Sequence, residues 1–181
     1  MCFYIFIFMY LTSSFSNGLL CTSFPLNAAG QFNDEASSFM EYYFKSNYEN
    51  TGGMSYDEFR NLLKSYDFIY DMEDSKIEKL FKDEVNNMHE RMNIDQFKKQ
   101  ALRFVTIIEL RIYNIYRRCC NSNRTTTPIQ IYWVLNSLGL KITHQDVTIS
   151  TSACNVHDPS RITHLEFRKI FGKLITIHLE N

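Results

Sequence analysis

The feature that most constrains the fold of this chain is a short pattern that recurs along it. An acid or amide followed by phenylalanine closes three segments: "GGMSYDEF" (52–59), "ERMNIDQF" (90–97) and "SRITHLEF" (160–167). Each segment has an apolar residue four positions before its acid or amide: Met54, Met92 and Ile162. A fourth segment, "TTTPIQI" (125–131), fits by its spacing, with Thr126 in the apolar position. Because the pattern recurs every 34 to 38 residues, it indicates an internal repeat with one loop between two helices in each unit.

The segments between these loops have helical periodicity. Apolar residues recur at spacings of three and four, which predicts amphipathic helices. One helix is expected over residues 34–46, and a long one from Ile94 towards Arg118. Further helices are expected around the apolar residues Phe59, Leu62, Leu63 and Tyr66; Ile77, Leu80 and Phe81; Ile131, Val134, Leu135 and Leu138; and Phe167, Ile170, Phe171 and Leu174. The pattern therefore predicts an all-α fold.

Several helix ends are marked by residues that favour them. Asp74-Ser75 and Thr143 are predicted to cap helix N-termini, because short polar side chains accept hydrogen bonds from the first free N–H groups. Pro128 suits the first turn of a helix, where its missing N–H is not needed. Gly139 suits a C-terminal stop.

The first 33 residues differ from the rest because they carry no charged side chain. The apolar run Cys2–Leu11 is too short to span a bilayer as a helix, which needs about 20 residues. It fits the core of a signal peptide with Ser14-Phe15-Ser16 as its cleavage site, although no Lys or Arg precedes it. The alternatives are a loosely packed tail and an apolar arm that docks on the body of the protein.

The cysteines bear on the compartment. Five cysteines form no repeated spacing, and their odd number favours a reducing compartment over a disulfide framework. We therefore expect a cytoplasmic protein, or a secreted one if residues 1–16 are a signal peptide.

The composition and motifs argue against several classes of function. The net charge of −1, with mixed signs, gives no support for binding nucleic acid. The sequence contains no Gly-rich phosphate loop, Ser-x-x-Lys or His-Glu-x-x-His pattern, so an enzyme is not predicted. Cys154, His157 and His164 are residue types that bind zinc, but they lack a matching second pair of ligands. The vicinal pair Cys119-Cys120 follows two arginines that would lower a thiol pKa, whereas a packed helix end would bury the pair.

These loops and helices resemble the EF-hand family, in the form of a divergent calmodulin-like protein. The strongest match runs from "LGLKITHQDV" to "NVHDPSRITHLEF", and the resemblance covers residues 34–176. It implies paired helix–loop–helix units in two lobes, at residues 34–106 and 107–181, after the uncharged segment 1–33. It also implies β-ribbons of two to three residues between paired loops, with Met54 opposite Met92 and Thr126 opposite Ile162.

The resemblance assigns a candidate calcium site to the first loop. A hard cation such as Ca²⁺ takes six to eight oxygen ligands, which the loop supplies from fixed positions around a glycine at the sharp turn. In this chain those positions hold Asn47, Glu49, Thr51, Gly53 (through its carbonyl), Ser55 and Glu58. Gly52 occupies the turn. Only two of these ligands are charged, so the resemblance implies weak calcium binding; the alternative is a turn held by side-chain hydrogen bonds.

The other three loops lack the ligands of a calcium site. The second has Val85, Asn87, His89, Asn93 and Gln96 in the ligand positions and Glu90 at the turn. The third has Cys119, Asn121, Asn123, Thr127 and Gln130, with Arg124 at the turn. The fourth keeps Asn155, Thr163 and Glu166, but Pro159 fills a ligand position and Ser160 replaces the glycine. No calcium is expected in these loops.

The function implied by the resemblance is that of a regulatory or adaptor module that binds a partner. Each lobe would present a hydrophobic groove for an amphipathic helix of a partner protein. The methionines of the first half would line such a groove or fill the core: Met40, Met54, Met72, Met88 and Met92. The alternatives are a genuine calcium sensor that works through the first loop, and a secreted helical structural protein.

Overall fold

The computed structural model describes residues 24–67 and 69–180, and the side chains within that range up to residue 177. The predicted signal segment, with Cys2 and Cys21, lies outside the described residues. No helix in the described part of the chain is long and apolar enough to cross a membrane.

The described residues fold into seven α-helices, which confirms the predicted all-α class. In chain order they are α1 (Asp34–Tyr48), α2 (Tyr56–Lys64), α3 (Asp74–Lys82), α4 (Ile94–Cys119), α5 (Pro128–Ser137), α6 (His144–Ala153) and α7 (His164–Glu180). A single 3₁₀ turn, Glu49–Thr51, follows α1.

The chain divides into two compact units, and the division falls inside α4 between Ile108 and Glu109. In the first unit, α1 to α3 and the first half of α4 bury an aromatic core that includes Phe44, Phe59, Phe81, Phe97 and Phe104. In the second unit, the second half of α4 and α5 to α7 bury a core that includes Ile131, Leu135, Val147, Phe167 and Phe171. Most of the apolar residues predicted from helical spacing thus pack inwards, although Leu138, at the end of α5, is exposed.

Most of the predicted helix ends are confirmed. The Thr143 hydroxyl caps α6 and shares a reciprocal capping box with Asp146. Pro128 begins α5, and Gly139 has a φ of +84° just beyond the end of that helix, where a residue without Cβ avoids strain.

The cap predicted at Asp74-Ser75 is wrong. Helix α3 begins at Asp74 itself, its N-cap is Glu73, and no side chain caps it. The carboxylate of Asp74 instead accepts two hydrogen bonds from Arg60, from Nε at 3.2 Å and from Nη2 at 2.8 Å. A bidentate guanidinium partner competes successfully with a local N–H because both groups are charged.

The loops are joined in pairs by isolated antiparallel bridges. Met54 and Met92 exchange two backbone hydrogen bonds of 3.0 and 2.9 Å, and Thr126 and Ile162 exchange two of 3.1 and 2.9 Å. These are the residue pairs expected from the sequence. Each is a single bridge, however, and the described residues contain no ribbon of two or three residues.

Residues 25–33, predicted only as the end of an uncharged tail, form a closed turn in front of α1. Leu26 and Phe32 form a third antiparallel bridge. The Asn27 side chain accepts from the N–H groups of Ala29 and Gln31 at 2.9 and 3.1 Å, respectively. The turn delivers Asn33, whose side chain caps α1 by accepting from Ala36 N at 2.8 Å.

Candidate functional site

The six residues assigned to calcium binding lie in one loop between α1 and α2. Asn47 lies in the last turn of α1, and Glu49 and Thr51 lie in the 3₁₀ turn. Gly52 and Gly53 follow with φ values of +76° and +119°. Ser55 is the N-cap of α2, and Glu58 lies in its first turn. The six residues are therefore close along the chain, and the oxygens shown to converge are those of Thr51, Gly53 and Glu58.

Several of these residues already form hydrogen bonds with other atoms of the protein. The Asn47 side-chain amide donates to the carbonyl of Tyr43 at 2.7 Å, one turn back along α1. The Thr51 hydroxyl lies 3.0 Å from the carbonyl of Tyr48 and 3.1 Å from that of Gly53. Glu58 Oε2 accepts from the Ser55 N–H and hydroxyl at 2.7 and 2.8 Å. The loop is thus closed by its own hydrogen bonds, as the alternative interpretation of the sequence expects.

Glu58 also accepts a hydrogen bond that recurs in all four loops. In each loop, the acid or amide before the aromatic or apolar residue accepts from the N–H three residues earlier, at the start of the helix. The four distances, all between 2.7 and 2.9 Å, belong to the pairs Ser55–Glu58, Asn93–Gln96, Thr127–Gln130 and Thr163–Glu166. These are capping-box contacts, each typically worth about 1 kcal/mol to a helix. The recurring loop ending therefore has a structural cause that needs no metal.

This capping role was missed at the sequence level, although a signal for it exists. Ser, Thr or Asn followed three positions later by Glu or Gln, directly before an apolar run, is the sequence form of a helix start. All four loop exits have this form.

A second missed residue is Arg91, which enters the first loop from the second. Its Nη1 donates to the Gly53 carbonyl at 2.7 Å, to Glu58 Oε2 at 3.2 Å and to the Thr51 hydroxyl at 3.4 Å. Three of the six oxygens assigned to calcium therefore converge on one guanidinium nitrogen. A signal was available, because an antiparallel pairing of Met54 with Met92 places Arg91 opposite Ser55, at the edge of the first loop.

Gly53 has a structural role besides the carbonyl oxygen assigned to it. A Cβ at this position would lie 2.4 Å from the Met92 carbonyl oxygen and 3.2 Å from the Arg91 Cβ. The absent side chain lets the two loops approach closely enough to form the bridge.

The other loops are shaped by local contacts and backbone turns of their own. In the second, Glu90 accepts from Asn87 Nδ2 at 2.7 Å and from the Asn86 N–H at 3.2 Å. In the third, Arg124 has a φ of +57°, so the predicted turn position is left-handed without a glycine. In the fourth, Asp158 accepts from the Ser160 hydroxyl and N–H at 2.6 and 2.9 Å.

In its present arrangement, the first loop would have to release Arg91 before a calcium ion could bind. Ca²⁺ binds oxygens at 2.3–2.6 Å, and Arg91 holds three of the candidate oxygens by hydrogen bonds. Across the described residues, no cluster of three or more His, Cys, Asp or Glu is placed to hold a metal ion. The first loop alone could not form such a cluster, since only Glu49 and Glu58 among its six ligands are acids.

The zinc-type residues are likewise not assembled into a site. His164 packs against the rings of Tyr113 and Tyr116, with centroid distances of 5.0 and 5.2 Å. Burial is the main cause that lowers the pKa of His164, and its Nε2 has no hydrogen-bond partner among the described residues. Cys154 and His157 do not join it in a metal-binding group within that part of the chain.

The vicinal cysteines follow the interpretation of a packed helix end. Cys119 is the last residue of α4, and it is buried. Burial raises the pKa of Cys119 to about 12, which outweighs the lowering effect of Arg118. Burial of Cys119 therefore opposes activation of its thiol, because the thiolate is the reactive form.

Of the two roles left open for the methionines, lining a groove or filling the core, most of them have the second. Met40, Met54, Met72 and Met92 are buried, while Met88 is half-buried. Exposed large apolar residues occur on several helices, and two of them lie on α5 of the second unit. Helix α5 contains no charged residue, and its Ile129 and Trp133 are 44% and 64% exposed. A spacing of four places these two side chains on one face of the helix.

An apolar cleft lies in the same unit, between α6 and α7. Its volume is about 340 Å³, and it is lined by Ile149, Ser150, Ala153, Lys173, Thr176 and Ile177. Ile149 is itself more than half exposed. A cleft of this size has room for one or two large apolar side chains from outside.

Comparison with known proteins gives no family for the chain. No protein-family model, curated protein or solved structure matches it. Its function is therefore argued from the residues and distances above.

Proposed function

We propose that this chain is a divergent EF-hand-like module that binds an amphipathic helix of a partner protein, with at most one weak calcium site in its first loop. Its role is regulatory or that of an adaptor, and it does not include catalysis. The free thiols of Cys119, Cys120 and Cys154 support a reducing, cytoplasmic location for it.

The EF-hand-like part of the proposal is supported by the paired loops. Each bridge joins two helix–loop–helix units, α1–α2 with α3–α4 and α4–α5 with α6–α7. Each loop exit turns directly into a capped helix. The recurrence of one arrangement four times in sequence, and of one bridge between paired loops in each compact unit, is what an EF-hand-like pairing predicts.

The observation that carries the binding role is the exposed apolar face of α5. A largely exposed tryptophan on a helix without charges is unusual for a surface in contact with water, because aromatic residues of this kind are concentrated at protein interfaces. The cleft between α6 and α7 adds a pocket for an anchoring side chain in the same unit. Helix-in-groove binding uses such anchors at spacings of three, four and seven residues.

Two alternatives keep their own tests. A genuine calcium sensor would bind the partner only with Ca²⁺, whereas Arg91 in the first loop favours binding that is independent of calcium. A secreted structural protein would have a mature N-terminus after residue 16, which sequencing of the mature N-terminus from expressing cells decides.

The test uses Trp133, the sole tryptophan of the chain, as the reporter. The full chain is titrated with a designed amphipathic helix of leucine and lysine, and the tryptophan emission is recorded with Ca²⁺ and with a chelator. We expect saturable binding and a shift of the emission to shorter wavelength, equal in both conditions, because the indole leaves water.

The matched variants are Ile149→Ser in the cleft and Tyr42→Ser, which removes another exposed apolar residue from α1 in the other unit; the two residues are 55% and 71% exposed. We expect Ile149→Ser to weaken binding about tenfold, about 1.4 kcal/mol, and Tyr42→Ser to leave it unchanged. Unsaturable binding, or equal weakening by both variants, would contradict the proposed role. Saturable binding that needs Ca²⁺ would instead favour the calcium sensor.

A further inference from the structure

The guanidinium of Arg91 lies where the oxygens of the first loop converge. Its Nη1 reaches a carbonyl, a carboxylate and a hydroxyl within 3.4 Å, and these belong to Gly53, Glu58 and Thr51. The contact with Glu58 is also an ion pair of 3.2 Å. The carboxylate and polar oxygens thus surround the positively charged guanidinium as they would otherwise surround a bound cation.

The backbone keeps Arg91 in this place. The next residue, Met92, exchanges two hydrogen bonds with Met54, so the bridge holds Arg91 beside the first loop. Gly53 leaves room for it, since a Cβ there would lie 3.2 Å from the Arg91 Cβ. Because the guanidinium belongs to the same chain, one is always present beside the first loop.

Arg91 and a calcium ion exclude each other. An ion would need the same oxygen lone pairs at 2.3–2.6 Å, and its charge would repel the guanidinium at that separation. The side chains of Arg91 and Glu58 are, however, 38% and 31% exposed. Water can therefore replace the hydrogen bonds of Arg91. The free energy that Ca²⁺ needs to displace the guanidinium is therefore limited.

We propose that Arg91 is the internal cation of the first loop: it holds the loop closed without calcium and masks a latent calcium site formed by Glu49, Glu58 and the neighbouring oxygens. This inference rests on the proposed EF-hand-like assignment of the loop. It explains how a loop with an oxygen in every ligand position stays closed independently of calcium.

The experiment is a calorimetric titration of the full chain with Ca²⁺. Arg91→Met removes the charge and keeps an unbranched stem, and Arg103→Met is the matched control. Arg103 is also an exposed arginine of the first unit with a carboxylate partner, Asp83 at 2.8 Å, but it does not contact the loop. We expect Arg91→Met to bind Ca²⁺ about tenfold more tightly than the wild type, and Arg103→Met to bind it as the wild type does.

A double variant shows whether the gain in calcium affinity depends on Glu58. Arg91→Met with Glu58→Gln should lose the added affinity, because Glu58 is one of the two charged ligands of the latent site. If Arg91→Met does not fold, Arg91→Gln is titrated in its place. Affinity in the Arg91 variant no higher than in Arg103→Met would overturn the proposal, as would a gain that survives Glu58→Gln.

The outcome is separable from that of the proposed function. Helix binding is read at Trp133 in the second unit, and calcium binding is read at the first loop. A gain in calcium affinity without helix binding would leave the internal cation standing and remove the partner role. Helix binding without a gain in calcium affinity would leave the partner role standing and remove the internal cation.

Discussion

Gly53 illustrates how much one residue of this loop decides. Two glycines stand side by side in "TGGM", and both have positive φ values, yet they serve different purposes. Gly52 makes a left-handed turn in open space, with no atom within 4 Å of a Cβ placed there. Gly53 lies against the Met92 carbonyl, so its missing side chain is required by contact with another loop as well as by its own backbone.

The two glycines therefore differ in their response to a methyl group. We expect Gly53→Ala to lower the free energy of unfolding by about 3 kcal/mol, the upper range for a strained backbone position, because the Cβ also breaks the bridge. Gly52→Ala should lower it by only about 1 kcal/mol, the left-handed penalty alone. Urea denaturation of the two variants measures the difference. Equal losses would show that the close approach of the loops is not what fixes Gly53.

At the scale of helices, the sequence predicts what depends on neighbours along the chain. Helical spacing, Pro128 and Thr143 act within one turn, so the elements they mark were found. Asp74 was misjudged because its partner, Arg60, lies on a different helix, and a distant charge outweighed the local cap. The turn at residues 25–33 was missed because its bridge joins two residues of an uncharged segment that has no alternating pattern.

The most buried ion pair was also beyond prediction, since its members are far apart in the sequence. Arg168 of α7 and Glu109 of α4 are 1% and 5% exposed and are joined by three contacts of 2.7 to 2.9 Å. In the sequence, each resembles an ordinary surface charge on an amphipathic helix. The packing of α7 against α4 removes both from water together.

Removing one member of this pair should destabilise the protein strongly. We expect Arg168→Met to cost about 3–5 kcal/mol of unfolding free energy, because the Glu109 carboxylate is left buried without its partner. The double variant Arg168→Met with Glu109→Leu should recover most of that loss, since well-packed apolar residues can replace a buried pair. Chemical denaturation of both variants supplies the comparison. A double variant no more stable than the single one would show that the pair is not coupled.

At the scale of the whole molecule, the loops combine features that the sequence did and did not reveal. The pairs Met54–Met92 and Thr126–Ile162 followed from repeat spacing and the family resemblance. The six candidate ligands fall in one loop because they are consecutive in the sequence. Arg91 was not foreseen, because it comes from the neighbouring loop and reaches Glu58 only after the loops have paired.

This arrangement predicts how the whole protein responds to calcium. For Kd values at the weak end of the range, 10⁻⁴ to 10⁻³ M, about 1 mM Ca²⁺ adds no more than about 1.4 kcal/mol to the free energy of unfolding. That corresponds to a rise in Tm of at most about 6 °C for a chain of this length. A sensor with a micromolar Kd would gain about 4 kcal/mol. Thermal unfolding in Ca²⁺, in Mg²⁺ and in chelator distinguishes them, and a rise of more than 8 °C with Ca²⁺ alone would refute the weak site.

The capping boxes have a consequence for how the chain reaches its fold. Each is a contact over three residues, and contacts this short form early and quickly. A loop that closes through its own side chains does not wait for an ion to arrive. We expect the chain to fold at the same rate whether free calcium is abundant or scarce.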